Sequence, residues 1–198
     1  MNYLAHIYLS GNNDFLKIGN FIADEIKGKS YQSYPKKIQN GILLHRHIDN
    51  FTDHHPVVSK SASRFFADFG HYNGVIIDVI YDHILAKNWM EYSEIPLEEF
   101  VSDFYKLIQI HQQVLPPRIS RIFPYMIEQN WLLNYASVEG ITGILKQMNK
   151  RTIHETNLHE SMQIYLEHKD EFDTEFKTFF EDIQNFCKTE IQKIKAES

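Results

Sequence analysis

The chain is best understood from residues 41–56, which read G-I-L-L-H-R-H-I-D-N-F-T-D-H-H-P. Apolar residues recur there at three- and four-residue steps, which predicts an amphipathic helix packed into a core. On such a helix His45 and Asp49 lie one above the other, because residues four apart share a face. Pro56 disfavours helical geometry at the residue before it, so the helix should end near Asp53.

This helix carries polar groups that need partners. A histidine and an aspartate one turn apart, next to Arg46, are costly on a half-buried helix unless other groups pair with them. A divalent metal ion and a phosphate group would both provide such pairing.

A second stretch has the same property. Residues 75–89 read V-I-I-D-V-I-Y-D-H-I-L-A-K-N-W and are apolar nearly all round, which predicts a central helix. Asp78 and Asp82 lie four residues apart on one face, and His83 follows directly. We interpret these three residues as part of a site, with a chance polar face as the alternative.

Helical periodicity dominates the remaining sequence, whereas alternating apolar and polar runs are short and no βαβ rhythm occurs. The sequence therefore predicts an all-α fold, in which residues 1–198 form a single-domain helical bundle with a long C-terminal helix. A short helix or an extended segment is expected at 2–9, and one or two short helices within 118–136. Asn12 or Asp14 is the expected N-cap of the second helix. Further helices are expected at about 14–27, 35–53, 56–69, 74–90, 97–114, 138–149 and 158–194.

Composition narrows the class of protein. The formal net charge is −6, with 26 acidic and 20 basic side chains, which argues against nucleic-acid binding because such binding requires a basic surface. The single cysteine, Cys187, excludes an intramolecular disulfide. Neither a signal peptide nor an apolar run of about 20 residues is present, so we expect a cytoplasmic protein without a membrane partner.

A group of four lysines and the residue Trp131 each have a structural and a functional interpretation. Four lysines near residues 41–56 form either a solvated face or a basic rim for an anionic partner. They are Lys27, Lys29, Lys36 and Lys37. Trp131 belongs to an aromatic group within 118–136 that is either core or one wall of a ligand groove, and it is a candidate partner-binding residue.

Imidazoles and carboxylates from four segments make up the candidate site. They are His6, Asp24, His45, Asp49, Asp53, Asp78, Asp82 and His83. Such ligands without a thiolate favour Mn²⁺, Mg²⁺, Fe²⁺ or Zn²⁺ in a hydrolytic centre over a structural zinc. The sequence contains no H-E-x-x-H, Walker, G-x-G-x-x-G or G-x-S-x-G motif. The remaining chemistry is metal-assisted hydrolysis of a phosphoester, in which an arginine stabilises charge on the phosphate.

Four motifs in the first two-thirds of the chain resemble the acyl carrier protein phosphodiesterase family. They are N-Y-L-A-H at 2–6, G-N-F-I-A-D-E-I-K-G at 19–28, the whole of 41–56, and D-V-I-Y-D-H at 78–83. A weaker likeness is E-Q-N-W-L at 128–132. The coincidence of four separated motifs in the same order makes the resemblance specific.

The resemblance implies an all-α fold related to the HD-domain phosphohydrolases, in a non-standard form. It implies a divalent metal, typically Mn²⁺, with Mg²⁺ or Fe²⁺ as alternatives. The implied reaction hydrolyses the phosphodiester that joins 4′-phosphopantetheine to a serine of holo-acyl carrier protein. The HD-like pair is reversed here, as Asp82-His83, and His47 stands where the family leads us to expect a basic residue, often arginine.

The chemistry of these side chains and the family resemblance together suggest a role for each candidate residue. The expected metal-binding residues are His45, Asp49, Asp82 and His83, with His6 and Asp24 as further ligands or as residues that orient the imidazoles. Asp53 or Asp78 is expected to accept the proton of the attacking water. Arg46 is expected to clamp the phosphate, and the four lysines to receive the acidic carrier protein.

Two other functions fit the same residues. One is an HD-like hydrolase of a nucleotide or another small phosphoester, which would differ in its substrate. The other is a non-catalytic module that binds the carrier protein or a metal, which would hold metal without turning over any phosphodiester.

Overall fold

The computed structural model describes residues 1–150 and 156–196, in which all regular secondary structure is helical. The α-helices are α1 (Tyr3–Leu9), α2 (Asp14–Ile22), α3 (Lys36–Asp53), α4 (Pro56–Phe69), α5 (Asn73–Lys87), α6 (Leu97–Ile110), α7 (Pro117–Glu128), α8 (Trp131–Asn134), α9 (Val138–Asn149), α10 (Ser161–Glu167) and α11 (Lys169–Ala196). The all-α prediction is confirmed. None of the described helices is both long and apolar enough to cross a bilayer.

Local sequence explains where the first three helices begin. Asn2 caps α1, and the Asn13 side chain accepts a 3.1 Å hydrogen bond from the backbone N–H of Leu16, so Asn13, not Asn12 or Asp14, caps α2. Pro35 precedes α3, which runs to Asp53 as predicted. A short 3₁₀ helix, Ala23–Glu25, follows α2, so the predicted helix 14–27 ends early at Ile22.

α5 is the central helix, as its sequence predicted. Ten of its residues are buried, including every position from Val79 to Ala86. α1, α4, α9 and α11 all pack against it, and one hydrophobic core extends from Met1 to Cys187. The predicted single-domain arrangement agrees with this continuous core, although residues 151–155 and 197–198 lie outside the described part.

The prediction of one continuous helix at about 158–194 was wrong. The chain forms a 3₁₀ turn at Leu158–Glu160, then α10, and leaves helical geometry at His168 before α11 begins. The break turns α10 so that Met162 and Tyr165 enter the core. Burial of these side chains, not a glycine or proline, separates the two helices.

Glu175 is a buried exception on the otherwise solvated acidic face of α11. Its carboxylate accepts two hydrogen bonds from Arg64, at 2.7 and 2.8 Å, and one from Ser61. Burial would raise the pKa of Glu175, but these bonds outweigh it and lower the pKa to about 2. The ionised carboxylate therefore ties α4 to α11.

Helices α2 and α3 cross in very close contact where two glycines face each other. A Cβ on Gly19 would lie 2.2 Å from the carbonyl oxygen of Ile38, and a Cβ on Gly41 would lie 2.5 Å from that of Leu16. These distances are too short for any side chain. Only glycine at both positions allows the two backbones to approach this closely.

We therefore expect Gly41→Ala to lower the free energy of unfolding by about 3 kcal/mol, because the added methyl group forces the helices apart. Urea denaturation measures this. Gly74→Ala is the matched control, since a Cβ there meets nothing within 4 Å, and its free energy should change by less than about 0.5 kcal/mol. Equal stabilities of the two variants would contradict the close-contact explanation.

Candidate metal centre

Three of the predicted ligands come together, and we call them the His/Asp group: His6, His45 and Asp49. Within the described ranges this is the group whose potential ligand atoms all lie within 4.8 Å of one another. His6 Nε2 lies 3.2 Å from one oxygen of Asp49, and His45 Nε2 lies 3.1 Å from the other. The carboxylate therefore bridges two imidazoles.

Two helices supply the group. α1 carries His6, while α3 carries His45 and Asp49 one turn apart, as the spacing predicted. The two imidazole rings stack with their centroids 4.0 Å apart. Both histidines are buried, whereas the Asp49 side chain is 41% exposed, so solvent reaches the group from the carboxylate side.

A fourth residue completes the site. Asp24 lies on the 3₁₀ turn after α2, and its Oδ1 is 3.1 Å from His45 Nε2. Its side chain is 61% exposed, more than that of Asp49. The early end of α2 places this carboxylate at the mouth of the His/Asp group.

Asn20 fixes the orientation of His45, and the sequence reasoning missed it. Its Nδ2 donates to the backbone oxygen of His6 at 2.8 Å and to Ser10 Oγ at 3.0 Å. Its Oδ1 therefore faces His45 Nδ1, at 2.9 Å, and accepts that N–H. An asparagine within the buried apolar face of α2 was the available signal, since a buried amide needs partners.

This orientation creates a requirement for positive charge. With Nδ1–H donated to Asn20, His45 Nε2 faces oxygens of both Asp24 and Asp49. A lone pair facing two carboxylates is repulsive, so either a proton or a cation must lie between them. His6 Nδ1 is buried and has no hydrogen-bond partner among the described residues, so the polar contacts of that ring are also made at Nε2. The donor set thus fits a divalent metal.

The pKa values reflect the same charges. Burial opposes protonation of His45, but hydrogen bonds to Asp24 and Asp49 outweigh it and raise its pKa to about 9. Burial, together with the charge of His45, lowers the pKa of His6 to about 4. Burial would raise the pKa of Asp49, but the two imidazoles hold it well below its usual range.

The two acids of α5 have structural partners instead. Asp82 accepts hydrogen bonds from the backbone N–H groups of Asn2 at 3.1 Å, Leu4 at 2.8 Å and Ala5 at 3.4 Å. Asp78 pairs with the Met1 ammonium at 2.8 Å. Burial raises the pKa of Asp82 to about 7, although the ammonium and the amides oppose this. Both residues therefore anchor α1 on α5 and do not join the His/Asp group.

His83 lies on a different face of α5 from Asp82. Its Nδ1 is 2.7 Å from the backbone oxygen of Tyr135, and its ring meets Tyr165 edge-on. Asp82 thus contacts the amides at the start of α1, whereas His83 contacts Tyr135 and Tyr165 on another side of α5. The structure does not bring the predicted Asp82-His83 pair to the centre.

The remaining predicted residues surround the centre. Arg46 donates to the backbone oxygen of Ile26 at 2.9 Å and lies over the ring of Tyr31, so it holds the loop after the 3₁₀ turn, and its role as a phosphate clamp stays a prediction. Asp53 is exposed one turn beyond Asp49 and lines a cavity together with Asp78. The four lysines are exposed.

His47 and Trp131, which the sequence analysis also singled out, contact residues outside the His/Asp group. His47 contacts Glu190 of α11 at 2.7 Å, away from the centre. Trp131 lines a cavity between α7, α8 and α9, and its Nε1 donates to Gln129 at 3.1 Å.

The fold and the site define an all-helical protein with paired imidazoles and carboxylates able to hold a divalent cation. A family model described as acyl carrier protein phosphodiesterase matches residues 1–183. The chain therefore belongs to the acyl carrier protein phosphodiesterase family.

Curated relatives carry the same family name. A protein of Pectobacterium atrosepticum named acyl carrier protein phosphodiesterase is 30% identical over 191 residues, which cover 96% of this chain and 99% of the relative. One of Enterobacter sp. (strain 638) with that name is 32% identical, covering 91% and 94%. No solved structure matches the chain. The predicted relation to HD-domain phosphohydrolases therefore stays a prediction.

Asp82 and His45 should respond differently to substitution. We expect Asp82→Asn to lower the free energy of unfolding by about 2 kcal/mol, because both oxygens of Asp82 accept N–H groups at the start of α1 and asparagine keeps only one acceptor oxygen. Its metal affinity should stay unchanged, whereas His45→Ala should lose metal binding. Urea denaturation and calorimetric Mn²⁺ titration measure the two quantities. Loss of Mn²⁺ binding in a folded Asp82→Asn protein would return Asp82 to the centre.

Proposed function

We propose that this chain hydrolyses the phosphodiester between 4′-phosphopantetheine and a serine of holo-acyl carrier protein, releasing 4′-phosphopantetheine and the apo carrier protein. Family membership over residues 1–183 supports the substrate. The observation that carries the proposal is the His/Asp group, whose buried imidazoles and partly exposed carboxylate form a donor set suited to a divalent cation, which would in turn attract a phosphate.

The proposed ligands of a divalent metal, Mn²⁺ first among Mn²⁺, Mg²⁺ and Fe²⁺, are His6 Nε2, His45 Nε2 and the Asp49 carboxylate, with Asp24 beside them. When bound, such an ion would supply positive charge that polarises the phosphodiester and acidifies the attacking water. Asn20 keeps the proton of His45 on Nδ1, so that Nε2 is available as a ligand.

Asp24 is the residue best placed to orient the attacking water. Its side chain is 61% exposed, so the carboxylate is open to water and can accept a hydrogen bond from it. Asp78 is occupied by the Met1 ammonium and leaves the proposed mechanism. The role of Asp53 as proton acceptor stays a prediction.

The four exposed lysines form the proposed docking rim for the acidic carrier protein. Lys27 and Lys29 lie on the loop that Arg46 holds through Ile26 and Tyr31. This loop directly follows the 3₁₀ turn that carries Asp24. Arg46 is thus proposed to position this loop, and Lys27 and Lys29, three and five residues after Asp24, would raise the rate of encounter.

The central test is mass spectrometry of holo carrier protein incubated with the chain and Mn²⁺, where the proposal expects loss of phosphopantetheine. His45→Ala and Asp49→Ala should each lower the rate at least about 100-fold, because each removes a proposed ligand. His47→Ala is the matched control, a neighbouring histidine of α3 that faces Glu190, and should retain activity. Intact holo carrier protein after incubation with the unmodified chain would refute the proposed function.

The rim predicts a separate effect. Lys27→Glu combined with Lys36→Glu should raise KM for the carrier protein about tenfold while changing kcat less, and added salt should reduce the difference. Lys177→Glu with Lys188→Glu makes the same change in net charge on α11 and serves as the control. If both double variants shift KM equally, net charge rather than the rim governs the encounter.

A further inference from the structure

We propose that the cavity between α7, α8 and α9 binds the pantetheine arm of the substrate while its phosphate occupies the His/Asp group. The inference rests on the proposed function and adds a second binding site to it. The cavity has a volume of about 440 Å³, within the usual range for small-molecule sites. Residues from the start of α1 and from α7, α8 and α9 line it, among them Tyr3, Arg118, Trp131, Asn134, Gly143 and Gln147.

Two residues of the cavity lining connect it to the elements that carry the His/Asp group and Asp24. Tyr3 lines the cavity and precedes His6 by one turn of α1, a rise of about 4.5 Å along the helix. Arg118 also lines the cavity and pairs with Glu25, the residue after Asp24. The cavity lining and the His/Asp group therefore share helix α1 and are joined by the Arg118–Glu25 pair, and the arm of a substrate whose phosphate is at the centre would extend along these residues.

The lining matches an arm that alternates amide and alkyl groups. Asn134, Ser137 and Gln147 offer hydrogen-bonding groups, whereas Ile144 and Met148 offer apolar surface. A pantetheine arm contains two amides, a hydroxyl group, a gem-dimethyl group and a terminal thiol. A purely hydrocarbon ligand would remove polar atoms of the lining from water without offering them hydrogen bonds, so the amide-bearing arm fits better.

Gly143 gives the cavity its space. It lies in the middle of α9, where glycine is less favourable than alanine, and its φ is not positive. A Cβ there would meet nothing within 4 Å, so packing does not require a glycine. Gly140 differs, since its Cβ would lie 2.0 Å from the backbone oxygen of Asn134. The missing side chain at Gly143 keeps the cavity open.

The test fills this space with Gly143→Leu. We expect KM for holo carrier protein to rise more than about tenfold, with a smaller effect on kcat. The thermal midpoint should stay the same or rise, because leucine favours a helix more than glycine does. Thr178→Leu adds the same side chain on the exposed face of α11 and should leave both kinetic constants unchanged.

Binding of the arm is measured separately with pantetheine, which has no phosphate, and the metal-free chain. The fluorescence of Trp131, in the cavity wall, should change saturably at millimolar pantetheine. The fluorescence of the buried Trp89 should stay constant. The change should persist in Thr178→Leu and disappear in Gly143→Leu.

The outcomes separate the two proposals. If holo carrier protein is cleaved but neither KM nor pantetheine binding differs between Gly143→Leu and the unmodified chain, the cavity assignment is wrong and the proposed function stands. If holo carrier protein is never cleaved, the proposed function fails, and pantetheine binding alone decides the cavity. Saturable binding lost in Gly143→Leu supports the assignment, and no saturable signal overturns it.

Discussion

The close crossing of α2 and α3 at Gly19 and Gly41 is the constraint on which the centre depends. It brings Asn20 of α2 against His45 of α3, and the same amide holds the backbone of α1 at His6. One asparagine therefore sets the relation of three helices and the orientation of an imidazole. Any separation of the two helices would be transmitted directly to the His/Asp group.

Buried acidic residues and partly exposed ones have different roles in this structure. Asp82 satisfies the N–H groups at the start of α1, and Glu175 ties α4 to α11 through Arg64. Both are paired within the fold, and neither faces an open site. Asp24 and Asp49, by contrast, remain partly exposed and point toward imidazoles. Exposure combined with incomplete pairing, rather than acidity alone, distinguishes the carboxylates suited to chemistry.

The sequence predicts correctly those features that depend on one helix alone. The four-residue spacing of His45 and Asp49, the apolar surround of α5 and the ends of α3 all follow from local periodicity and from proline. It failed where tertiary contacts decide. Asp82 and His83 are adjacent in sequence, yet the helix turns them apart. Asn20 lies within the 19–28 motif, but its hydrogen bonds to His6 and His45 join segments that local pattern does not bring together, and no glycine or proline marks the break at His168.

The helices around the centre are held by contacts that involve no ion. The glycine crossing, the Asn20 amide and the anchoring of α1 by Asp82 are all contacts between groups of the chain itself. Chelation should therefore strip the centre without unfolding the protein, unlike a zinc finger, whose structure collapses with its metal. A divalent metal at the proposed site would therefore bind to, and leave, a framework that other contacts maintain.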